Sequence, residues 1–281
     1  MYEVREDGKI EILFNTTNIL KFIHHISGVS NVVATIHHLS KNSGLDVFPP
    51  LETDGLPIGF ENEQGNIHVT PNDISDWIFR KSFEDFIVGL TQSLIEAYSL
   101  LRLHALTERT AVQPIKTPEE FETEMRNIHT KGPKMNFPQL IDAIEEMTGG
   151  ILPLRDEILS VNQTRNCLVH KNGIAASAFS LRYIEMRMIV SKDGELIRLT
   201  KQIKKQGLTG DQLYMQNTPA ARTFADGEKI ALDADVFKDV TYTGILFIHE
   251  LISKLPLPDE IKQQIVRPFK IQLAVGPASG A

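Results

Sequence analysis

The sequence predicts a mainly α fold, in which a helical bundle of about five helices carries an inserted β-hairpin and follows a small α/β N-terminal segment. Apolar residues recur at helical spacing in several segments between residues 73 and 255, which is typical of amphipathic helices. The pattern changes to β-prone runs on both sides of Lys192-Asp193-Gly194, and Asp-Gly between such runs is a strong hairpin signal. The 281 residues, 42% hydrophobic and 23% charged, suffice for a buried core and are typical of a globular protein.

Residues 1–72 are predicted to form an α/β extension in front of the bundle. Residues 9–14 (KIEILF) predict a short strand, and the NTTN that follows offers N-cap side chains for a helix. That helix is predicted to continue to Asn42-Ser43-Gly44, where its apolar pattern ends. Residues 45–72 are rich in Pro, Gly, Asn and Asp, so they predict an irregular connection with a short strand at 67–70.

The bundle is predicted to occupy residues 73–255. Four of its helices are indicated by apolar spacing and by terminal residues, at 71–106, 117–129, 136–147 and 153–170. Pro118 falls near the first position of the second of these helices, where a missing N–H costs little, and Gly149-Gly150 ends the third. Asn172-Gly173 ends the fourth.

The β-hairpin is predicted as an insertion at about residues 180–205, before the last helix of the bundle. A short extended stretch at 227–233 and a final amphipathic helix at 235–255 follow it, and Pro256 closes that helix. Residues 256–281 form the predicted C-terminal tail. The chain therefore returns to the bundle after the insertion.

Charge and hydropathy exclude several classes of protein. The net charge of −7 argues against a protein that coats nucleic acid non-specifically, because binding to phosphates requires positive charge. No apolar run approaches the roughly 18–20 residues of a membrane span. The first residues carry charges of both signs, unlike a secretory signal, and a single cysteine cannot form an internal disulfide. We therefore expect a cytoplasmic protein without a membrane partner.

The predicted hairpin has a local excess of positive charge. Segment 182–205 contains seven basic residues against three acidic ones, in contrast to the acidic remainder of the chain. The basic residues are Arg182, Arg187, Lys192, Arg198, Lys201, Lys204 and Lys205. They predict either a solvated hairpin face or a surface that helps to hold RNA.

At the end of the fourth bundle helix, residues 165–173 (RNCLVHKNG) place an arginine, an asparagine and a histidine close together. In a helical projection Arg165 lies at the centre of an apolar stripe, because five apolar side chains fall within about 60° of it. These are Leu154, Ile158, Val161, Leu168 and Val169. A charge in that position is costly unless it is paired or faces a cavity or an interface.

A polar ridge lies beside this apolar stripe. Asn162, Asn166 and His170 follow one another at intervals of four residues, whereas Cys167 projects to the other side and predicts a packing role. Arg165 and His170 are about 140° apart, so a single copy of the helix is not expected to direct both at one phosphate. Two copies that face each other across a two-fold axis would do so.

The residue types in this cluster suit phosphodiester chemistry. Histidine can take and give a proton near neutral pH, and the planar guanidinium of arginine matches phosphate oxygens. Asparagine can hold a tautomer or a water molecule in place. Arg165, Asn166 and His170 therefore fit metal-free cleavage of RNA, in which the neighbouring 2′-OH attacks the phosphorus.

A structural alternative uses the same residues without any function. In this alternative Arg165 either extends its charged group to the solvent or pairs with an acid such as Asp85 or Glu145, while His170 and Asn172 cap the C-terminus of the helix. No metal site is expected. The pairs His24-His25 and His37-His38 would lie about 20 Å apart on one straight helix, beyond the reach of a single ion.

At residues 165–173 the sequence resembles the HEPN superfamily, the higher eukaryotes and prokaryotes nucleotide-binding domain. The hallmark of that superfamily is an Arg, a polar residue and then a His, on the last or penultimate core helix of a helical bundle. Arg165, Asn166 and His170 match it, and the helix order over 73–255 is compatible. The resemblance implies a metal-independent endoribonuclease without a cofactor, whose active site lies at a homodimer interface.

The resemblance also implies roles and partners. His170 would be the general acid and base or would stabilise the transition state, and Arg165 would bind the phosphate. Asn166 would be the positioning residue, and Asn162 beside it on the polar ridge is a supporting residue. Such proteins recur in toxin–antitoxin and phage-defence systems, which implies an RNA substrate and a cognate antitoxin or regulatory protein. Other members are non-catalytic dimerisation or partner-binding modules, and a nucleotide-binding regulator is a further alternative. The hairpin and residues 1–72 lie outside the family core.

Overall fold

The computed structural model describes residues 2–4, 10–12, 17–42, 70–112, 117–192, 195–198, 212–260 and 262. Within these residues the fold is mainly α. The helices are α1 (Thr17–Asn42), α2 (Pro71–Val112), α3 (Pro118–Lys131), α4 (Phe137–Thr148), α5 (Arg155–His170) and α6 (Ala234–Lys254). The strands are β1 (Tyr2–Val4), β2 (Ile10–Ile12), β3 (Phe179–Lys192), β4 (Glu195–Arg198) and β5 (Gln212–Phe224). The strand predicted at 9–14 is confirmed as β2, whereas the one predicted at 67–70 lies almost wholly outside the described residues.

Local side chains determine the ends of the bundle helices, as the sequence predicts. Thr117 caps α3 by accepting a hydrogen bond from the Glu120 N–H, and Asn136 forms a reciprocal capping box with Gln139 at the start of α4. Gly149 ends α4 with a left-handed backbone, at φ 73°. The predicted boundaries of these two helices are therefore confirmed to within a few residues.

Helix α2 is the central element of the bundle, and its buried face includes Phe83, Phe86, Leu90 and Leu94. Its 42 residues extend for roughly 63 Å at 1.5 Å per residue. It begins at Pro71, which is also the first residue of the predicted helical segment, because Thr70 and Asp73 cap it reciprocally. The Asp73 N–H donates to the Thr70 hydroxyl, and the Thr70 N–H donates to the Asp73 carboxylate.

Helix α1 belongs to the core of the bundle, although the sequence placed it in a separate extension. Phe22, Ile26 and Val33 lie at helical spacing and are almost completely buried in the main core cluster. The ring of Phe22 meets that of Phe86 edge to face, with 5.3 Å between centroids. The boundary at residue 72 therefore does not separate two cores, because the apolar face of α1 is buried by packing against α2 and α6.

Strand β3 is the centre of a three-stranded antiparallel sheet in the order β4-β3-β5. The predicted hairpin is confirmed by the pairing of Lys192 with Glu195. The longer pairing, between β3 and β5, was not predicted, because β5 contains Pro219 and lacks a clear alternation of apolar and polar residues. A proline is tolerated there because β5 is an edge strand. The extended stretch predicted at 227–233 contains an isolated antiparallel bridge between Lys229 and Ile174 and is not part of a longer strand.

Helix α6 closes the core by packing very closely on α1 and α2 at Gly244. A side chain at this position would place its Cβ 2.6 Å from the Phe86 ring and 3.1 Å from the Phe22 ring. Phe237, near the N-terminus of the same helix, stacks at an angle on Phe83, with 5.4 Å between the ring centroids. None of the helices in the described part of the chain combines the length and apolar character that a membrane crossing requires.

We expect Gly244→Ala to destabilise the fold by about 1–3 kcal/mol, because the new methyl group overpacks the aromatic core. Gly28→Ala on α1 is the matched control. A methyl group added at Gly28 would meet no neighbouring side chain within 4 Å, so the substitution is expected to be neutral or to stabilise α1 by up to about 1 kcal/mol. Chemical denaturation of both variants measures the difference, and equal stabilities would contradict the close packing at Gly244.

Asp239 on α6 faces β3, where the Met186 backbone hydrogen-bonds to its carboxylate. Burial raises the pKa of Asp239 from its ordinary value of 3.8 to about 6, although the Met186 contact and the nearby Lys238 act in the opposite direction. The folded protein therefore holds this proton more tightly than the unfolded chain. The stability that Asp239 contributes is fully present below its ordinary pKa of 3.8 and is lost as the pH rises through about 6.

We expect Asp239→Asn to gain thermal stability over the wild type progressively between about pH 4 and pH 7, because the amide cannot ionise. The amide oxygen can still accept the Met186 N–H, so the fold should persist. Thermal unfolding across this pH range measures the effect, with Asp226→Asn, on an exposed turn, as the control. A stability difference that does not vary with pH would show that the Asp239 proton is not linked to folding.

Candidate functional site

Helix α5 is oriented by its contact with β3. The Arg182 backbone N–H donates to the Ser160 hydroxyl at 2.8 Å, and Ser160 and Thr164 are both buried at this contact. The buried side of α5 therefore extends around to Ser160, Thr164 and Cys167, of which the sequence had placed Cys167 on the other side of the helix from the apolar stripe. Arg165 consequently lies at the border of the buried side, and the prediction that it occupies the centre of the apolar stripe is wrong.

Arg165 contacts both other residues of the predicted cluster. Its Nη1 donates to the Asn166 side-chain oxygen at 3.0 Å and lies 3.1 Å from Nε2 of His170. Asn166 and His170 are exposed, and Arg165 is half-buried. The two side chains therefore meet within a single copy, because the long arginine side chain spans the angle of about 140° between their positions on the helix.

The predicted ion pair of Arg165 with Asp85 or Glu145 is contradicted by its neighbours. Glu145 accepts hydrogen bonds from Arg155 and from the Leu152 N–H, and Asp85 pairs with Lys81. Among the described residues, no carboxylate lies within ion-pair distance of Arg165. Its Nε is buried and has no hydrogen-bond partner in the described part of the structure. Arg165 is therefore not held in place by a salt bridge.

The Asn-Gly that follows the cluster ends the helix, as predicted. The N–H groups of Lys171 and Gly173 both donate to the Cys167 carbonyl, and Asn172 and Gly173 have positive φ angles of 52° and 76°. Backbone groups therefore terminate α5, and His170 is free of a capping role. Cys167 is 6% exposed, which confirms that it packs in the core.

An open groove of about 640 Å³ lies beside Arg165, between α2, α5 and the start of α4. Its polar lining comes from three helices that are distant in sequence: Thr91, Gln92, Asn136, Asn162, Arg165 and Asn166. Three of these, Asn162, Arg165 and Asn166, belong to the predicted cluster. Sequence reasoning missed Thr91, Gln92 and Asn136, because no local pattern indicates that these segments meet α5 in space.

Helices α2 and α5 run antiparallel along this groove. Residues 87–92 of α2 line it together with residues 162–166 of α5. A second cavity, of about 20 Å³, is lined by Asp76 and Arg80 of α2 and by Asn172 at the end of α5. The part of α2 that lies between these two cavities is therefore opposite the last turn of α5, and this turn carries His170.

The basic hairpin residues do not form one continuous surface in the described structure. Arg182 pairs with Asp156 at 3.3 Å, and Arg187 pairs with Glu185 at 2.6 Å. Arg182 and Arg187 are an odd number of residues apart on β3, so they point to opposite faces of the strand. Lys192 and Arg198 lie on β3 and β4, and the predicted RNA-binding residues Lys201, Lys204 and Lys205 lie outside the described residues.

In the described ranges, no group of three or more His, Cys, Asp or Glu side chains lies close enough together to hold a metal ion. Of the histidine pairs on α1, His25 and His38 are exposed. His249 on α6 is buried, and this burial lowers its pKa. Within the described structure, the cluster on α5 is therefore the group of side chains best suited to catalysis or ligand binding.

Comparisons of this chain with family models, with curated proteins and with solved structures found no significant match. The resemblance to the HEPN superfamily consequently remains a prediction, supported by the motif at 165–173 and by the helix order.

Two arginines on α5 provide a matched test of whether Arg165 is needed for the fold. Arg155 binds Asp142 at 2.7 Å and Glu145 at 3.1 Å, so Arg155→Ala should lower the free energy of unfolding by about 1–2 kcal/mol. Arg165→Ala should change it by less than about 0.5 kcal/mol, because no salt bridge is lost. Urea denaturation measures both. If Arg165→Ala is the more destabilising of the two, Arg165 has a structural role.

Proposed function

We propose that this chain is a metal-independent endoribonuclease of the HEPN type, which cleaves RNA by 2′-OH attack and acts in the cytoplasm. The observation that carries the proposal is the contact between Arg165 Nη1 and His170 Nε2, 3.1 Å apart beside an open groove. A permanent cation and a proton-exchanging imidazole thus lie within reach of one phosphodiester. Neither is engaged by a carboxylate among the described residues.

The resting hydrogen bonds suggest how the site engages RNA. The guanidinium of Arg165 has only N–H donors, so in this hydrogen bond Nε2 of His170 is the acceptor. A bound phosphate would take over the guanidinium N–H groups, because a charge-assisted bond to a phosphate oxygen is stronger than a bond to neutral imidazole. Nε2 of His170 would then be able to accept a proton from the 2′-OH.

The reaction transfers one proton to the site and returns one. Nε2 of His170 takes the 2′-OH proton while O2′ forms a bond to phosphorus. The bond from phosphorus to O5′ breaks, a second protonated histidine supplies the proton to O5′, and the products are a 2′,3′-cyclic phosphate and a 5′-OH. Arg165 stabilises the charge that develops on the phosphate oxygens, and Asn166 holds the guanidinium in place.

A homodimer supplies the second histidine in this scheme, from the same helix of another copy. The basic residues of the hairpin would contribute to RNA binding at a distance from the cleaved bond. By analogy with the superfamily, the chain would serve as a toxin or phage-defence effector, with a cognate antitoxin or regulatory protein as its partner. These partners remain part of the proposal.

A non-catalytic module is the second candidate, and one observation favours it. Both hydrogen bonds of Arg165 Nη1 are made within its own helix, an arrangement that also suits a static dimer, partner or nucleotide-binding surface. In this case the purified protein would cleave no RNA. Nucleotides that raise the melting temperature of the wild type and not of Arg165→Ala would identify a nucleotide-binding surface.

The decisive measurement is cleavage of total RNA by the purified protein in the presence of EDTA. We expect His170→Ala and Arg165→Ala each to reduce the rate by about 10²–10⁴-fold, which is typical of lost acid–base or oxyanion stabilisation. Arg155→Ala, a salt-bridged arginine on the same helix, should retain the activity. RNA with 2′-O-methyl groups should resist cleavage. Wild-type-like cleavage by both site variants would refute the proposal.

A further inference from the structure

Two large apolar side chains are exposed on the solvent side of α2. Trp77 is 62% exposed and Val88 is 59% exposed. They are eleven residues apart, which places them within about 20° of one another around the helix and roughly 16 Å apart along it. They therefore belong to one stripe, on the side of α2 opposite the buried Phe83 and Phe86.

The two ends of this stripe differ in shape. Trp77 is an exposed indole, whereas Val88 lines the open groove beside Arg165. The groove also has an apolar wall, formed by Met135, Phe137 and Pro138 at the start of α4. One face of the protein thus carries both a large protruding apolar ring and a cavity of about 640 Å³ with apolar lining.

We propose that a second copy of this chain occupies the groove, in a two-fold dimer in which the two α2 helices pack antiparallel. The Trp77 of each copy enters the groove beside Arg165 of the other. A two-fold interface requires a surface that complements itself, and a ring and a groove on one stripe satisfy that requirement. The inference rests on the proposed function in one respect, since it identifies what joins the two copies of the proposed site.

The charges between Trp77 and Val88 fit this arrangement. Lys81 and Glu84 lie on the same stripe, at equal distances from its midpoint. A two-fold rotation about this midpoint places Trp77 of one copy on Val88 of the other. The same rotation places Lys81 of each copy opposite Glu84 of its partner. The spacing of four, three and four residues along these positions is that of an antiparallel helix seam. In a single chain, Lys81 and Glu84 already form an exposed pair at 3.3 Å.

The position of the implied axis agrees with the location of the α5 cluster. The midpoint of Trp77 and Val88 falls between the two cavities that α2 shares with α5. Because the helices are antiparallel, this level lies opposite the last turn of α5, near His170. The stripe on α2 therefore brings the two copies of His170 toward the axis, and it does so without any use of the α5 motif.

The chemistry of the groove suits an indole. The Arg165 guanidinium lies in its wall, and an indole attracts such a cation through the flat face of the guanidinium, which leaves the N–H edge free for a phosphate. Gln92 and Asn136 line the same groove, and their amide oxygens can accept the indole N–H. Aromatic side chains that enter a pocket of the partner are typical centres of binding energy at interfaces.

The first test is the oligomeric state of the full chain by sedimentation analysis. We expect a wild-type dimer whose dissociation constant rises at least about tenfold in Trp77→Ala and in Val88→Asp. Leu39→Ala on α1 is the control, since Leu39 is 63% exposed and lies away from the stripe. Trp77 is the only tryptophan of the chain, so its fluorescence should shift to longer wavelength when the wild type dissociates on dilution.

The second test uses exchanged charges and does not depend on removing an apolar group. Lys81→Glu alone and Glu84→Lys alone each place like charges across the axis, so each variant should self-associate more weakly than the wild type. When the two variants are mixed, opposite charges meet at both positions. A mixed dimer should then form about tenfold more tightly than either variant alone. Contacts within one chain cannot produce this preference.

The outcomes separate this inference from the proposed function. A monomeric wild type, a dimer that Trp77→Ala and Val88→Asp leave intact, or the absence of a preferred mixed dimer would each overturn the α2 interface. RNA cleavage that depends on His170 would in that case still support the nuclease. A dimer that requires Trp77 but cleaves no RNA would support the interface and reject the nuclease.

Discussion

The contact between Gly244 of α6 and the ring of Phe86 on α2 is the constraint on which the other elements depend. No larger residue fits there, so α6 crosses α1 and α2 at very short range. The neighbouring Thr243 hydroxyl accepts the Ile184 N–H of β3 at 2.8 Å, which fixes the strand to the helix. Strand β3 in turn orients α5 through Ser160. The close crossing therefore determines, through two hydrogen bonds, which side of α5 faces the core.

This orientation determines the chemistry of the candidate site. With Ser160, Thr164 and Cys167 buried, Arg165 lies at the edge of the core, where its guanidinium reaches both the groove and His170. Arg155, ten residues earlier on the same helix, is tied to two carboxylates. A salt-bridged arginine stabilises the helix arrangement, whereas one whose hydrogen bonds in the described structure go to an amide and an imidazole stays available to a phosphate.

The α2 stripe and the α5 cluster give independent arguments for a second copy of the chain. The cluster contains one histidine, although the proposed cleavage needs one group to accept a proton and another to donate it. In the proposed dimer, the stripe places the indole of Trp77 against the groove at Val88 of the other copy, and Lys81 against Glu84. Both pairs have the same midpoint on α2. Both arguments place a two-fold axis near the last turn of α5.

The sequence by itself determined the mainly α class, the capped ends of α3, α4 and α5, the β3–β4 turn and the identity of the α5 cluster. Each of these depends on nearby residues, such as the capping box at Asn136 and the Asn172-Gly173 stop. Only the tertiary structure decided that α1 joins the core, that β5 pairs with β3, and that Arg165 lies at a border beside Thr91, Gln92 and Asn136. The physical reason is that burial, strand pairing and groove formation are set by partners distant in sequence, and a local pattern contains no information about them.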